Sequence, residues 1–117
     1  LFKALFPFKD LIDYEKYSNN YDYNKAVYLM SLFKILDNGF LILKEDTSLS
    51  SPIGSLFYEY YSDLDTLESH LEGLSESIQC MVGPTSFPKA IPFGSTQKPS
   101  LTDYADGVDT MKFIQSL

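Results

Sequence analysis

Apolar positions Leu1, Ala4, Leu5 and Phe8 recur at helical spacing at the start of the chain. Pro7, which has no backbone donor, predicts the end of that helix or a kink in it. A second helical stripe runs through "NYDYNKAVYLMSLF", where Tyr23, Ala26, Val27, Met30 and Phe33 share one face and Asn20 or Asp22 is placed to cap the free amides. The period then shortens. "FKILDNGFLIL" sets two apolar runs around Asp37-Asn38-Gly39, residues that tolerate the positive φ of a tight turn, and predicts a β-hairpin. After the polar loop "KEDTSLSSP", the near-continuous apolar run "IGSLFYEYY" predicts a strand buried on both faces, in a sheet interior.

Ser62 is the candidate cap of "SDLDTLESHLEGL", with Asp65 three residues on, a stripe of Leu64, Leu67, Leu71 and Leu74, and Gly73 near the stop. "SIQCMV" and "KAIPF" read as short strands around the turn "GPTSFP". Val108, Met111 and Ile114 mark one side of a terminal helix that Asp106 is placed to cap. Strand, helix, strand in that order implies a crossover unit and an α/β fold with a mixed sheet and flanking helices. The chain contains no internal repeat or low-complexity tract.

Composition narrows the function classes. The 117 residues have the length of one domain, and 44% of them are hydrophobic, enough for a core. The net charge is -7, and all nine basic residues are lysine. Without arginine there is no bidentate grip on phosphate or guanine, and the acidic balance opposes a nucleic-acid backbone or an anionic lipid surface. No apolar run approaches the ~20 residues of a membrane span. The lone Cys80 excludes an intramolecular disulfide, in keeping with a cytoplasmic protein. The opening "LFKALFPFKDLI" carries neither an initiator methionine nor a small-residue cleavage site, so the chain is expected to continue upstream. Nine tyrosines and nine phenylalanines, concentrated in "YEKYSNNYDYNKAVY" and "LFYEYY", are expected to pack a core or a domain contact.

Candidate chemistry is sparse. Cys80 lies between Gln79 and Met81 in an apolar stretch, where a thiol is expected to be buried rather than nucleophilic. His70, the only histidine, sits on the Leu64–Leu71 helix without a partner near in sequence, as a solvated side chain does. Asp103, Asp106 and Asp109 recur every third residue but lack calcium-loop spacing and any histidine or cysteine company, so no metal site is predicted. Glycines occur singly, never as GxGxxG or GxxxxGK[ST], so no complete nucleotide-binding unit is present. The residues alone describe an acidic α/β piece without a self-sufficient active site.

Three stretches, "YNKAVYLMSLFKILDNGFLILKED", "SPIGSLFYEYYSDLDTLESHLEGLSESIQCMVG" and "IPFGSTQKPSLTDYADGVDTMKFI", together resemble the C-terminal part of the acyl-CoA reductases. That family includes the enzymes that supply fatty aldehyde to bacterial luciferase and belongs to the aldehyde dehydrogenase superfamily. The resemblance spans nearly the whole chain and is most specific in the "PFG...Q.P.L.DYADGVDT" ending. It implies that residues 1–117 form a single fragment of an aldehyde-dehydrogenase-like catalytic domain, with the nucleotide-binding domain and the catalytic cysteine upstream. It also implies that the whole enzyme reduces an acyl-CoA, through a cysteine thioester, to an aldehyde with NADPH, and that the fragment alone is inactive. A homodimer or higher oligomer is expected. In the superfamily a glutamate ahead of a Phe-Gly-Pro turn contacts the nicotinamide ribose. "KEDTSLSSPI" is similar, which makes Glu45 the cofactor-binding candidate. Pro52 stands seven residues after Glu45, and Ser50-Ser51 replace the Phe-Gly, so Asp46 is the alternative. "IPFG" is similar to a Pro-Phe-Gly-Gly stretch near the substrate passage, with Ser95 in place of the second glycine, and nominates Phe93 for an apolar acyl channel. A second reading, from the residues themselves, is a small acidic binding module with a contact face between Tyr17 and Tyr28.

Overall fold

The structure, a computed structural model, describes residues 1–104 and 107–117. Residues 1–60 and 61–117 form two compact units. In the first, helix α1 (Phe2–Leu5) passes into a 3₁₀ segment, Phe6–Asp13, with Pro7 in its first turn. Pro7 thus converts the expected helix into a tighter one, since its ring and missing N–H are tolerated only near a helix start.

Helix α2 (Glu15–Met30) begins earlier than its sequence pattern predicts, at the N-cap Tyr14, which makes no side-chain cap. Asn20 is interior and donates to the Lys16 carbonyl at 2.7 Å. The buried face also differs from the expected one: Tyr21, Asn24 and Tyr28 are buried and Tyr17 half-buried, whereas Tyr23, Val27 and Met30 are exposed. Spacings of four, three and four residues keep these side chains on one helix face. Each hydrogen-bonding tip but one reaches outside the helix. Tyr17 donates to the Phe40 carbonyl at 2.8 Å, Tyr21 to Asp37 Oδ1 at 2.5 Å and Asn24 to the Ile53 carbonyl at 3.1 Å.

That face rests on a three-stranded mixed sheet of order β1-β2-β3. Strands β1 (Ile35–Asp37) and β2 (Ile42–Glu45) are antiparallel and pair Ile35 with Lys44 and Asp37 with Ile42. The predicted hairpin forms because Gly39 takes φ +94° and Asn38 Oδ1 accepts from the Phe40 and Leu41 amides. Strand β3 (Ser55–Tyr58) runs parallel to β2, pairing Ile42 with Ser55 and Glu45 with Tyr58. It is an edge of the sheet, not the predicted interior, and its burial is correspondingly partial. The central strand is β2, whose Ile42 is 0% exposed and forms the core with Tyr21 and Tyr28. Gly54, at φ +81°, lets β3 start against the helix, because a Cβ there would lie 3.0 Å from Tyr21 Cβ.

In the second unit, helix α3 (Leu64–Gly73) is capped by Asp63 rather than Ser62. Asp63 accepts from the Thr66 amide and hydroxyl, each at 2.8 Å, while Ser62 donates to Asp63. "SIQCMV" and "KAIPF" do not form the predicted strands; a single parallel bridge joins Val82 to Ile91. The expected strand-helix-strand crossover is therefore not made, and the parallel pair β2/β3 is joined by a loop, not a helix. Helix α4 (Thr110–Gln115) is capped by Asp109, which accepts from the Lys112 amide at 2.9 Å; Asp106, the predicted cap, lies outside the described residues. Its Val108, Met111 and Ile114 side is exposed.

Candidate functional site

At the carboxyl ends of β2 and β3 the first unit opens into a cleft of about 640 Å³. Ligands of α/β proteins bind outside the carboxyl ends of parallel strands, where side chains from successive loops converge. One wall is Phe33 and Lys34, which follow α2, and the other is Glu59 and Tyr60, which follow β3. Lys44, Glu45, Asp46 and Thr47 form the floor and lip.

Strand alternation sorts the polar residues of the floor. Lys44 and Asp46 point one way and Glu45 the other, because successive side chains of a strand face opposite sides. The Asp46 amide, bonded to the Tyr58 carbonyl at 3.1 Å, extends the ladder one residue past β2. The Lys44 side chain is buried, and its ammonium lies 4.3 Å from the Phe33 ring centroid, 5.0 Å from Phe57 and 5.5 Å from Tyr28. Three ring faces and the Asp46 carboxylate, with which Lys44 is paired, replace the water lost on burial. Lys44 and the Ser48 amide together hold Asp46 at a pKa of about 2, well below the usual carboxylate range. Asp46 is therefore a partly exposed anion held by Lys44 and the Ser48 amide. Glu45 is exposed, and among the described residues no side-chain hydrogen bond or ion pair engages it.

Phe33 is brought to this cleft by the way α2 ends. Its amide donates to the Tyr28 carbonyl at 3.0 Å, the long closing bond of a helix C-terminal motif, and its ring meets Tyr28 edge-on at 6.4 Å. The link between them is Leu32 at φ +61°, a conformation usually left to glycine. Tyr60 meets Tyr58 edge-on at 5.6 Å on the far wall. Sequence reasoning missed the cage around Lys44. Its only sequence signal is a lysine inside an apolar alternation, with aromatic residues at positions 28, 33 and 57 that only the fold brings together.

The other candidates stand elsewhere. Phe93 belongs to the second unit, is 74% exposed, and lines neither of the clefts formed by residues 71–89 and 79–107. Cys80 is exposed, contrary to the burial expected from its apolar neighbours, and the predicted "SIQCMV" strand that contains it does not form; it borders both of those clefts. His70 is exposed on α3. Asp103 is held below the usual carboxylate range by hydrogen bonds from the Ser100 amide and hydroxyl, which makes it a local turn brace. Among the described residues no helix is long and apolar enough to cross a membrane. No protein-family model, curated protein or solved structure matches the chain.

Proposed function

We propose that the chain is the C-terminal portion of an NADPH-dependent, cytoplasmic acyl-CoA reductase, in which Glu45 contributes to the cofactor site. The observation that carries this reading is the free carboxylate of Glu45 at the lip of the strand-end cleft, in the "KED" segment that the family resemblance nominates for the cofactor. A carboxylate with unused lone pairs accepts hydrogen bonds from vicinal hydroxyls, the chemistry a ribose presents.

The donor set fits one end of the cofactor. The cleft offers two unengaged carboxylates, Glu45 and Glu59, beside exposed aromatic rings, and the chain has neither a glycine-rich loop nor arginine for the phosphates. These residues would take the nicotinamide ribose, while the phosphates would need groups from elsewhere. NADPH supplies the hydride of the reduction. This chain's own part is to orient the ribose through Glu45 and to wall the cleft with Phe33 and Tyr60. The binding-module reading gains less support, because Tyr17, Tyr21 and Tyr28 are turned onto the sheet.

The test is an assay of aldehyde formation from a fatty acyl-CoA and NADPH by the protein expressed from its entire reading frame, run beside this chain alone. Aldehyde from the longer protein only, with KM for NADPH raised about tenfold by Glu45→Gln, is the expected result; the factor is that of one hydrogen bond to a charged group. A longer protein that makes no aldehyde sinks the reading.

A further inference from the structure

We infer that the open edge of β3 pairs with the same edge of a second copy of this chain, antiparallel about a two-fold axis at Tyr58, so that one sheet runs through both subunits. The inference stands apart from the reductase reading and gives the expected homodimer a surface. Parallel pairing fixes which backbone groups of β3 are already used. The Ile42 amide bonds the Gly54 carbonyl and the Asp46 amide the Tyr58 carbonyl, so residues 54, 56 and 58 turn their polar groups towards β2. By the same alternation Phe57 and Glu59 turn theirs away from it, and among the described residues no backbone group or side chain bonds them there. Such an edge is a template for another strand unless something blunts it. The opposite edge is blunted: β1 has three residues, with Lys34 immediately before it. The β3 edge has no such guard, since residues 53–60 contain neither lysine nor proline and Glu59 is their one charge.

The edge also fits itself. Ser55 is buried and its amide bonds the Pro52 carbonyl at 3.0 Å, so the free edge begins at Leu56, which is exposed like Glu59 and Tyr60. Laid antiparallel on its copy, the stretch 56–60 sets Phe57 opposite Glu59 of the second copy, where the two exchange N–H and C=O bonds, and the two-fold axis repeats the exchange. On the side of the sheet away from α2, Tyr58 then faces Tyr58 of the copy and Leu56 faces Tyr60. These are aromatic and aliphatic cross-strand pairs, and no like charges stand opposed. Tyr60 belongs to the far wall of the strand-end cleft, which the second copy thereby buttresses.

The test is the mass in solution, by analytical ultracentrifugation, of the protein from its entire reading frame in wild type and Glu59→Pro, together with disulfide mapping of Tyr58→Cys and Leu36→Cys. Wild type is expected to sediment as a dimer, or as a closed assembly of dimers, at about 100 μM. Proline at 59 deletes an outward N–H and no bond of the β2 ladder, so the fold is kept while the Kd of the dimer rises at least about tenfold, for one hydrogen bond lost on each side of the axis. A non-hydrogen-bonded pair on the axis brings the two Cα atoms of residue 58 to about 4.5 Å, within disulfide reach. Mild oxidation of Y58C should therefore yield a peptide linked to its own copy at position 58, a product only two chains can form, whereas L36C on the β1 edge should not link. If E59P loses its fold, the two cysteine variants decide by themselves. A monomer, open-ended growth from β3 pairing with β1 of the next copy, a dimer that a folded E59P leaves unchanged, or a position 58 that links no faster than position 36 overturns the proposal.

Discussion

Asp37 receives three hydrogen bonds from well-separated points of the chain: Tyr21 at 2.5 Å, Lys25, whose ammonium lies 2.5 Å away, and the Gly39 amide at 2.9 Å. One carboxylate thereby ties the exit of β1 to helix α2 and to the hairpin turn. Burial acts to raise its pKa, and the bonds from Lys25, Tyr21 and Gly39 outweigh it, so the group sits below its ordinary 3.8. A carboxylate depressed by folding adds stability above its unfolded value and loses that contribution as pH falls through the folded one. Asp37→Asn is therefore expected to lower stability by about 2 kcal/mol near neutral pH, the range for a hydrogen bond to a charged group. In urea melts the gap between wild type and variant should shrink as the pH is lowered from about 6 to about 2, and a gap that stays constant would refute the charge-based account. Asp37 and Asn38 were legible in the sequence as turn residues, but the link to Tyr21 was not, because local pattern carries no information on which helix face will meet the turn. Glu45 was nominated only through family resemblance; what the fold adds is that strand alternation sets its side chain on the opposite face from Asp46, which pairs with Lys44.

Among the elements, the hairpin and α3 were read from sequence nearly as they stand, since each is set by local chemistry: an Asn-Gly turn in one, a side-chain cap and a leucine stripe in the other. Helix α2 shows where that logic stops. Its buried face is Tyr21, Asn24 and Tyr28, and the hydropathy pattern favours the more aliphatic stripe of Tyr23, Ala26, Val27, Met30 and Phe33, although a tyrosine ring buries as well as an aliphatic chain once its hydroxyl has a partner. The end of α2 hid for a related reason. Glycine commonly marks such a stop, yet here Leu32 holds φ +61° while the residue is 89% exposed, so it bears the strain of that conformation and contributes little packing. Leu32→Gly should relieve about 1 kcal/mol of strain, net of glycine's extra chain entropy when unfolded. The expected readout is a rise in melting temperature with unchanged helical circular dichroism. A fall would mean that Leu32 packs against something its exposure does not reveal.

At the scale of the whole molecule, burial is uneven. Every buried hydrophobic residue among those described lies in residues 1–60, whereas among the described residues of 61–117 Gly83 alone is buried. The α/β class was legible from the order of periodicities, but the predicted crossover was not realised, because "SIQCMV" and "KAIPF" pair at one bridge instead of joining a sheet. A strand that cannot dock its apolar face on a sheet gains too little to offset the entropy of ordering it. The difference is measurable by amide hydrogen exchange, whose protection follows the cost of local opening. The Ile42 amide, bonded to the Gly54 carbonyl at 2.9 Å beneath a fully buried side chain, opens only when β2 leaves the sheet. The Ile91 amide makes a bond of similar length, 2.8 Å to the Met81 carbonyl, yet it belongs to an isolated bridge under little apolar cover. Hydrogen-bond length is thus nearly matched while cooperative support is not. Ile42 should exchange at least about 100-fold more slowly than Ile91, and comparable rates would show that residues 61–117 possess a cooperative core of their own.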